Sequence, residues 1–355
     1  MGLTEELRAY ANARGVDLVG CTSPEPLTVR EGAEPFDPRS VLPDARAVVI
    51  AATYTYGFET AEPSQPGRPR GRFGPWTRAS LAAWHYGERV VKGFLQRRGH
   101  QALLSNDMPY KALAVRSGIA SYGRNCIVHA DGYGSYLKLA GVITDAKLAC
   151  ADRPVRTSDC SGCTACVEAC PTGALDTPYR LRIDRCITAW LWGRPMDPAD
   201  REKIGPYIFR CGYCQDACPK NQGLQARGGF PFRIEARTDR PELIPLLLGD
   251  ESQLREILPA FPLEAGVETI RRNVAIALGN SGEAAAVPAL AKALREEAPC
   301  VRGAAAWALG RLGGDEAKHA LEAALSDETD GDVRGEIAAG LQAIAGPTGG
   351  SRTTP

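Results

Sequence analysis

Cys160-Ser161-Gly162-Cys163-Thr164-Ala165-Cys166-Val167-Glu168-Ala169-Cys170-Pro171 is a C-x2-C-x2-C-x3-C-P run, and Cys211-Gly212-Tyr213-Cys214-Gln215-Asp216-Ala217-Cys218-Pro219 repeats it with one cysteine fewer. Cys186 lies between the two runs and can supply the missing thiolate. Three thiolates on a tight loop can hold three irons of a cubane, and the fourth, on the helix that follows, points at the other cluster. This crossed pattern assigns Cys160, Cys163, Cys166 and Cys218 to one [4Fe–4S] cluster. Cys186, Cys211, Cys214 and Cys170 take the second. Eight of the twelve cysteines are used in this way. Structural zinc would need only pairs of C-x2-C hooks and has no use for the third cysteine or the Cys-Pro ending. Disulfides belong to oxidising compartments. The remaining Cys21, Cys126, Cys150 and Cys300 follow no spacing and read as small buried hydrophobes.

The rest of the chain bounds what these clusters can serve. A length of 355 residues suggests about two or three domains. Hydrophobic residues make up 44% and charged residues 24%, an ordinary globular composition. Lys+Arg and Asp+Glu both number 42, so the chain as a whole is not a polybasic nucleic-acid coat. No stretch approaches the roughly 20 apolar residues of a membrane span. The N-terminal MGLTEELRAYANARG reads as an amphipathic helix rather than a signal peptide. A cytoplasmic location with reduced thiols, and no membrane partner, is the expectation.

Residues 1–150 read as an α/β domain. A helix from Leu3 to Arg14 stops at Gly15 and precedes an apolar run at 16–20. Residues 47–53, AVVIAAT, form a continuous apolar run, as in a buried strand. Residues 57–75 read as a Gly/Pro/Arg loop, 79–98 as a helix, 101–105 as a strand, 109–117 as a helix, 121–125 as a turn and 136–143 as another strand. There is no G-x-G-x-x-G and no P-loop, so a nicotinamide or nucleotide site has no support. His85, His100, His129 and His319 show no metal-binding spacing, and D-x-H-x-x-G, the corrinoid signature of mutases, is absent.

Residues 270–344 repeat. Ile270-Arg271-Arg272 leads to Ala277-Leu278-Gly279, Val301-Arg302-Gly303 to Ala308-Leu309-Gly310, and Val333-Arg334-Gly335 to Ala339-Gly340-Leu341. Each unit is Ala/Leu-rich with a glycine break, as in HEAT-like helical hairpins that stack into a binding surface. The domain boundaries expected are 1–150, a cluster module at 151–225, a connection at 226–268, repeats at 269–345 and a disordered tail at 346–355.

The order of parts, an α/β N-terminal domain, a ferredoxin-like double [4Fe–4S] module and C-terminal α-helical HEAT-like repeats, resembles the epoxyqueuosine reductase family, relatives of the reductive dehalogenases. The most specific matches are residues 42–50 (LPDARAVVI), the eight cysteines, Arg185-Cys186-Ile187, residues 272–280 (RNVAIALGN), and 118–145 with Gly123-Arg124-Asn125 and Gly134-Ser135. The resemblance implies cobalamin bound base-off, with Arg124, Val128, Leu139 and Trp190 against it, and an external low-potential electron donor. It implies an aspartate that supplies the proton for reducing an epoxide on a tRNA base. Asp107 is the candidate here, in a segment shorter by a few residues than the family's D-x-x-P-x-x-E-K, with Tyr110 and Tyr122 as alternatives. Asp107 also reads as an N-cap for the helix that follows. The Arg271–Arg272 pair suits tRNA phosphates, whereas the zero net charge and the acidic stretch at 264–268 oppose it. Two other readings stay open: the same machinery acting on a C–O or C–X bond of a small molecule, and a non-catalytic electron carrier.

Overall fold

The computed structural model describes residues 2–29, 32–55, 65–74, 77–154, 157, 160–225, 240–257 and 265–346. The chain forms two compact units. Met1–Glu59, Pro75–Ile183 and Gly212–Ala236 make the first; Thr60–Gly74, Asp184–Cys211 and Arg237–Pro355 make the second.

The first unit is built on a sheet of β1 (Leu18–Thr22), β2 (Ala47–Tyr54), β3 (Ala102–Leu103) and β4 (Leu137–Thr144), in the order β1-β2-β4-β3. All its pairings are antiparallel, and β2 runs beside β4 from Ala47↔Thr144 to Tyr54↔Leu137. Every residue of β2 is buried. An antiparallel sheet with one wet face would alternate apolar and polar residues. The continuous apolar run at 47–53 exists because helices cover both faces. Val49, Ala51, Ala140 and Val142 meet Leu7 of α1 (Leu3–Asn12) and Val91, Phe94 and Leu95 of α2 (Thr77–Gln96). Val48, Ile50, Leu139 and Ile143 meet Leu113, Ala114 and Val115 of α3 (Tyr110–Arg116). Burying a side chain such as Phe94 or Leu95 contributes roughly 1.5–3 kcal/mol.

Several elements differ from the sequence reading. The strand at 101–105 shrinks to two residues, Ala102 and Leu103, because only these pair with β4. The turn at 121–125 belongs to a hairpin in which Ser121–Tyr122 pairs with Val128–His129. Within the loop expected at 57–75, Arg72–Phe73 forms a short strand; 56–64 and 75–76 lie outside the described residues.

In the second unit, Arg72–Phe73 pairs in parallel with Tyr207–Phe209. Among the described residues from 265 onward, five α-helices follow: α4 (Val267–Ser281), α5 (Val287–Ala293), α6 (Pro299–Leu312), α7 (Asp315–Asp327) and α8 (Gly331–Ala345). The repeated glycine does not break a helix. A Cβ on Gly279 would stand 2.9 Å from the Ala308 Cα, and one on Gly310 would stand 2.4 Å from the Gly340 Cα. The glycines let α4, α6 and α8 approach backbone to backbone, and the chain turns instead at Gly282 and Gly313, with φ of 71° and 70°. The segments at 226–239 and 258–264 and the tail at 347–355 lie outside the described residues.

Candidate functional site

Each cysteine run folds as a turn followed by one turn of helix. Gly162, at φ 70°, allows the tight bend in which the Cys163 N–H donates to the Cys160 carbonyl at 3.1 Å. The helix Ala165–Glu168 carries Cys166 and delivers Cys170. The helix Tyr213–Asp216 carries Cys214 and delivers Cys218 in the same way. In the first unit Cys160, Cys163, Cys166 and Cys218 are electrostatic neighbours. Burial, then the neighbouring thiols, push Cys166 and Cys218 up, with backbone N–H groups opposing. Among the described residues, no three His, Cys, Asp or Glu side chains converge as they would around a single ion.

The other two ligand candidates of the second set lie in the second unit. Cys186 holds the N-cap position of the helix Ile187–Leu191, and the Cys211 N–H donates to Thr188 Oγ1 at 3.2 Å. Thr188 therefore keeps Cys211 beside the helix that Cys186 opens.

The hairpin at 121–129 positions the cluster loops of the first unit. Arg124 donates to the Cys163 carbonyl at 3.3 Å, Asn125 Nδ2 donates to the Cys214 carbonyl at 3.4 Å, and His129 Nε2 lies 3.6 Å from Cys218 Sγ. Burial, then Lys220, push the His129 imidazole down to about 4, so it is neutral near pH 7. A Cβ on Gly123 would lie 2.3 Å from His129 Cε1, so only glycine fits beside that ring. The Gly134-Ser135 match is explained by a buried network. Gln215 and Asn221 donate to Ser135 Oγ at 2.9 and 2.8 Å, and Asn221 Oδ1 accepts the Ser135 N–H at 2.8 Å. His129, Gln215 and Asn221 are site residues that the sequence reading missed; the tight glycines beside two of them were the available signal.

Asp107 is exposed on the turn before α3, with its N–H on Ser105 Oγ at 3.3 Å. It does not cap the helix: Pro109 holds the N-cap position and no side chain bonds there. The Tyr110 hydroxyl donates to the Ser105 carbonyl at 3.1 Å, and burial, then Glu88, push it up to about 12. Burial, then Cys126, push Tyr122 up as well. Val128 and Leu139 are buried in the apolar layer that includes Tyr110 and Tyr122. Trp190 is buried in the second unit, its indole N–H donating to the Asp184 carbonyl at 2.9 Å. A cavity of about 410 Å3 in the first unit is lined in part by Ser121, His129, Asp131, Gly134, Thr157 and Lys220.

The Arg271–Arg272 pair does not offer free cations. Arg271 pairs with Glu296 at 2.9 Å and bonds the Gly249 carbonyl; Arg272 bonds the Trp190 carbonyl and Asn273. Cys300 is exposed and Cys126 and Cys150 are half-buried, so of the four unassigned cysteines only Cys21 is a buried one.

Residues 159–221 match the family of 4Fe-4S double cluster binding domains, and residues 263–342 match HEAT repeats. Epoxyqueuosine reductase from Bacillus cereus is 30% identical over 380 residues, covering 97% of this chain and 98% of its own. The chain belongs to the epoxyqueuosine reductase family. Epoxyqueuosine reductase from Bacillus subtilis (strain 168) is 30% identical over 373 residues, covering 96% of each chain. Among solved epoxyqueuosine reductases, one with an epoxyqueuosine-modified tRNA-Tyr stem loop aligns with a TM-score of 0.85 at 29% identity, over 97% of this chain and 99% of that one. Another, from B. subtilis and described with its catalytic loop swung out of the active site, also reaches 0.85, at 28% identity over 96% and 99%. As an epoxyqueuosine reductase family member the chain is an oxidoreductase with a double-cluster domain and HEAT repeats, as the motifs imply. No helix among the described residues is long and apolar enough to cross a membrane.

Proposed function

We propose that this chain reduces epoxyqueuosine in tRNA, using two [4Fe–4S] clusters and cobalamin. The observation that carries the reading is the clamp at 123–129. Arg124, Asn125 and His129 hold the loops of Cys163, Cys214 and Cys218 within the same unit that carries Asp107. Deoxygenation of an epoxide to an alkene breaks two C–O bonds, releases the oxygen as water and consumes two electrons and two protons. The electrons come from an external low-potential donor through the clusters. Cobalamin, when bound, supplies a strongly nucleophilic reduced metal centre.

The residues present suit a corrinoid. Val128 and Leu139, the contacts that the family resemblance implies, stand in the apolar layer of the first unit, and a cavity of the same unit offers Lys220, Ser121 and Thr157 to the phosphate and amide groups of such a cofactor. Trp190 is a further contact that the family resemblance implies. Asp107 is the proton donor in this reading. It is exposed and its carboxyl does not cap α3, whereas the Tyr110 hydroxyl is already engaged with Ser105 and held near 12. Tyr110 fixes the Ser105 carbonyl, and with it the loop on which Asp107 stands.

The cluster assignment, the domain boundaries and a cytoplasmic location complete the proposal. The ion pairs that engage Arg271 and Arg302 favour, as a second reading, a small-molecule substrate. Anaerobic reconstitution followed by assay on tRNA carrying epoxyqueuosine separates the two. Queuosine in the nucleoside digest, with tRNA affinity that falls steeply with salt, supports the proposal. A reconstituted enzyme that neither binds nor converts this tRNA overturns it.

A further inference from the structure

Two of the cysteines outside the ligand sets meet across the first unit. Cys21 lies near the end of β1, and Cys150 lies six residues beyond the end of β4. The Cys21 carbonyl accepts the Ala151 N–H at 3.0 Å, and Cys21 Sγ donates to the Ala149 carbonyl at 3.1 Å. The Cys21 side chain therefore lies across from the residue between those two, which is Cys150. Cys150 packs on the core layer that contains Cys21, and each thiol perturbs the ionisation of the other. Asp152 holds the two segments in register by accepting the Ser23 N–H at 2.9 Å and the Thr22 hydroxyl. A disulfide needs its two cysteines on segments held side by side, as these bonds hold them.

The two thiols are not equivalent. Cys21 is 2% exposed, whereas Cys150 is half-buried. The neighbouring Cys21 thiol pulls the Cys150 thiol down, and Arg116 adds to this against burial and Asp152; the Cys21 thiol is pushed up by Cys150 and by burial. Cys150 is thus the thiol a solvent-borne oxidant reaches, and Cys21, behind it in the core layer, is placed to resolve it.

We propose that Cys150 and Cys21 form a redox-active pair that closes to a disulfide when a hydroperoxide reaches the protein. The Cys150 thiolate attacks the terminal peroxide oxygen. The O–O bond breaks, the sulfur loses two electrons to become a sulfenic acid, and water or an alcohol leaves. Cys21 sulfur then attacks the Cys150 sulfur. The S–S bond forms, the S–O bond breaks, and the departing hydroxide leaves as water with the Cys21 proton. Two thiols are oxidised by two electrons in all, and the peroxide is reduced. None of the eight cluster ligands takes part, so the site stands apart from the proposed activity.

The test treats the reconstituted holoprotein, without air, with a single equivalent of hydrogen peroxide, followed by alkylation and tryptic mapping. Trypsin releases Cys21 on residues 15–30 and Cys150 on residues 148–156, because Arg153 precedes Pro154 and is not cut. The expected product is these two peptides joined, two hydrogens lighter than their sum, and separated again by dithiothreitol. In Cys21→Ser the Cys150 sulfenic acid should persist and be captured by dimedone. In Cys150→Ser, Cys21 should remain a free thiol. Recovery of both peptides fully alkylated from the treated native chain overturns the proposal, as does equal oxidation of Cys21 in Cys150→Ser.

Discussion

Replacing Asn273 by alanine should cost the second unit both stability and its share of the iron. Asn273 is fully buried. Its Nδ2 donates to the carbonyls of Leu191 and Ile208, at 2.9 and 3.0 Å, and its Oδ1 accepts from Arg272 at 2.9 Å. Leu191 ends the helix that Cys186 opens, and Ile208 lies in the strand that runs towards Cys211. One amide on a repeat helix therefore ties together the two segments that present these thiols. Alanine leaves two buried carbonyls without their donor, and each such group costs roughly 1–3 kcal/mol, or about 2–6 kcal/mol in all. At about 2–4 °C per kcal/mol for a unit of this size, the melting temperature should fall by roughly 5–20 °C. Scanning fluorimetry and an iron assay after anaerobic reconstitution measure the two effects. Asn273→Asp keeps an acceptor for Arg272 but loses the donors, so it should behave like alanine. An alanine variant with unchanged melting and full iron would refute the idea that this amide orders the Cys186 and Cys211 segments.

Other changes separate the remaining roles. Cys218→Ala should lose the first cluster although it sits in the second run, leaving about half the iron and making Cys160 and Cys163 open to alkylation; labelling of Cys211 and Cys214 instead would mean that ligation is not crossed. Asp107→Asn should reduce turnover by at least about a hundredfold, the usual scale for a lost general acid, while cluster and corrinoid spectra stay unchanged; a fully active variant removes it as proton donor. The Arg302 guanidinium, 2.7 Å away, holds Glu328 at about 2, below its ordinary 4.5. A depressed carboxylate stabilises the fold above its unfolded value, so this contribution should be complete above about 4.5 and vanish as pH falls towards 2. Thermal melts of native and Glu328→Gln protein should differ at pH 6 and converge near pH 2, and a constant difference across that range would count against the pair.

The parts of this protein that a reader can take from the sequence are those whose chemistry demands residue identity at a fixed local spacing. A cubane needs thiolates on one tight loop, so Cys160, Cys163 and Cys166 announce themselves, and Gly162 follows from the same bend. The run at 47–53 likewise announces β2, because a strand covered on both faces leaves no polar position. What hides is whatever depends on a partner distant in sequence. Gly123 and Gly134 look like ordinary turn glycines until His129 and Asn221 fill the space where their Cβ atoms would lie. Arg271 and Arg272 look like phosphate ligands until Glu296 and the Trp190 carbonyl take them up.

Cys21 and Cys150 are far apart in sequence and look unrelated until the bonds of Cys21 to Ala149 and Ala151 bring their segments together. The proton donor is the hardest case, for a different reason. A general acid has to bring one carboxyl within reach and need not keep a register with its neighbours. A loop can therefore lose a few residues and still do the work, and the shortened segment around Asp107 is the kind of change that spacing rules cannot follow. The same freedom makes Asp107 testable in isolation. Its carboxyl neither caps α3 nor lies on a cluster loop, so removing it should act on the reaction and leave the fold alone.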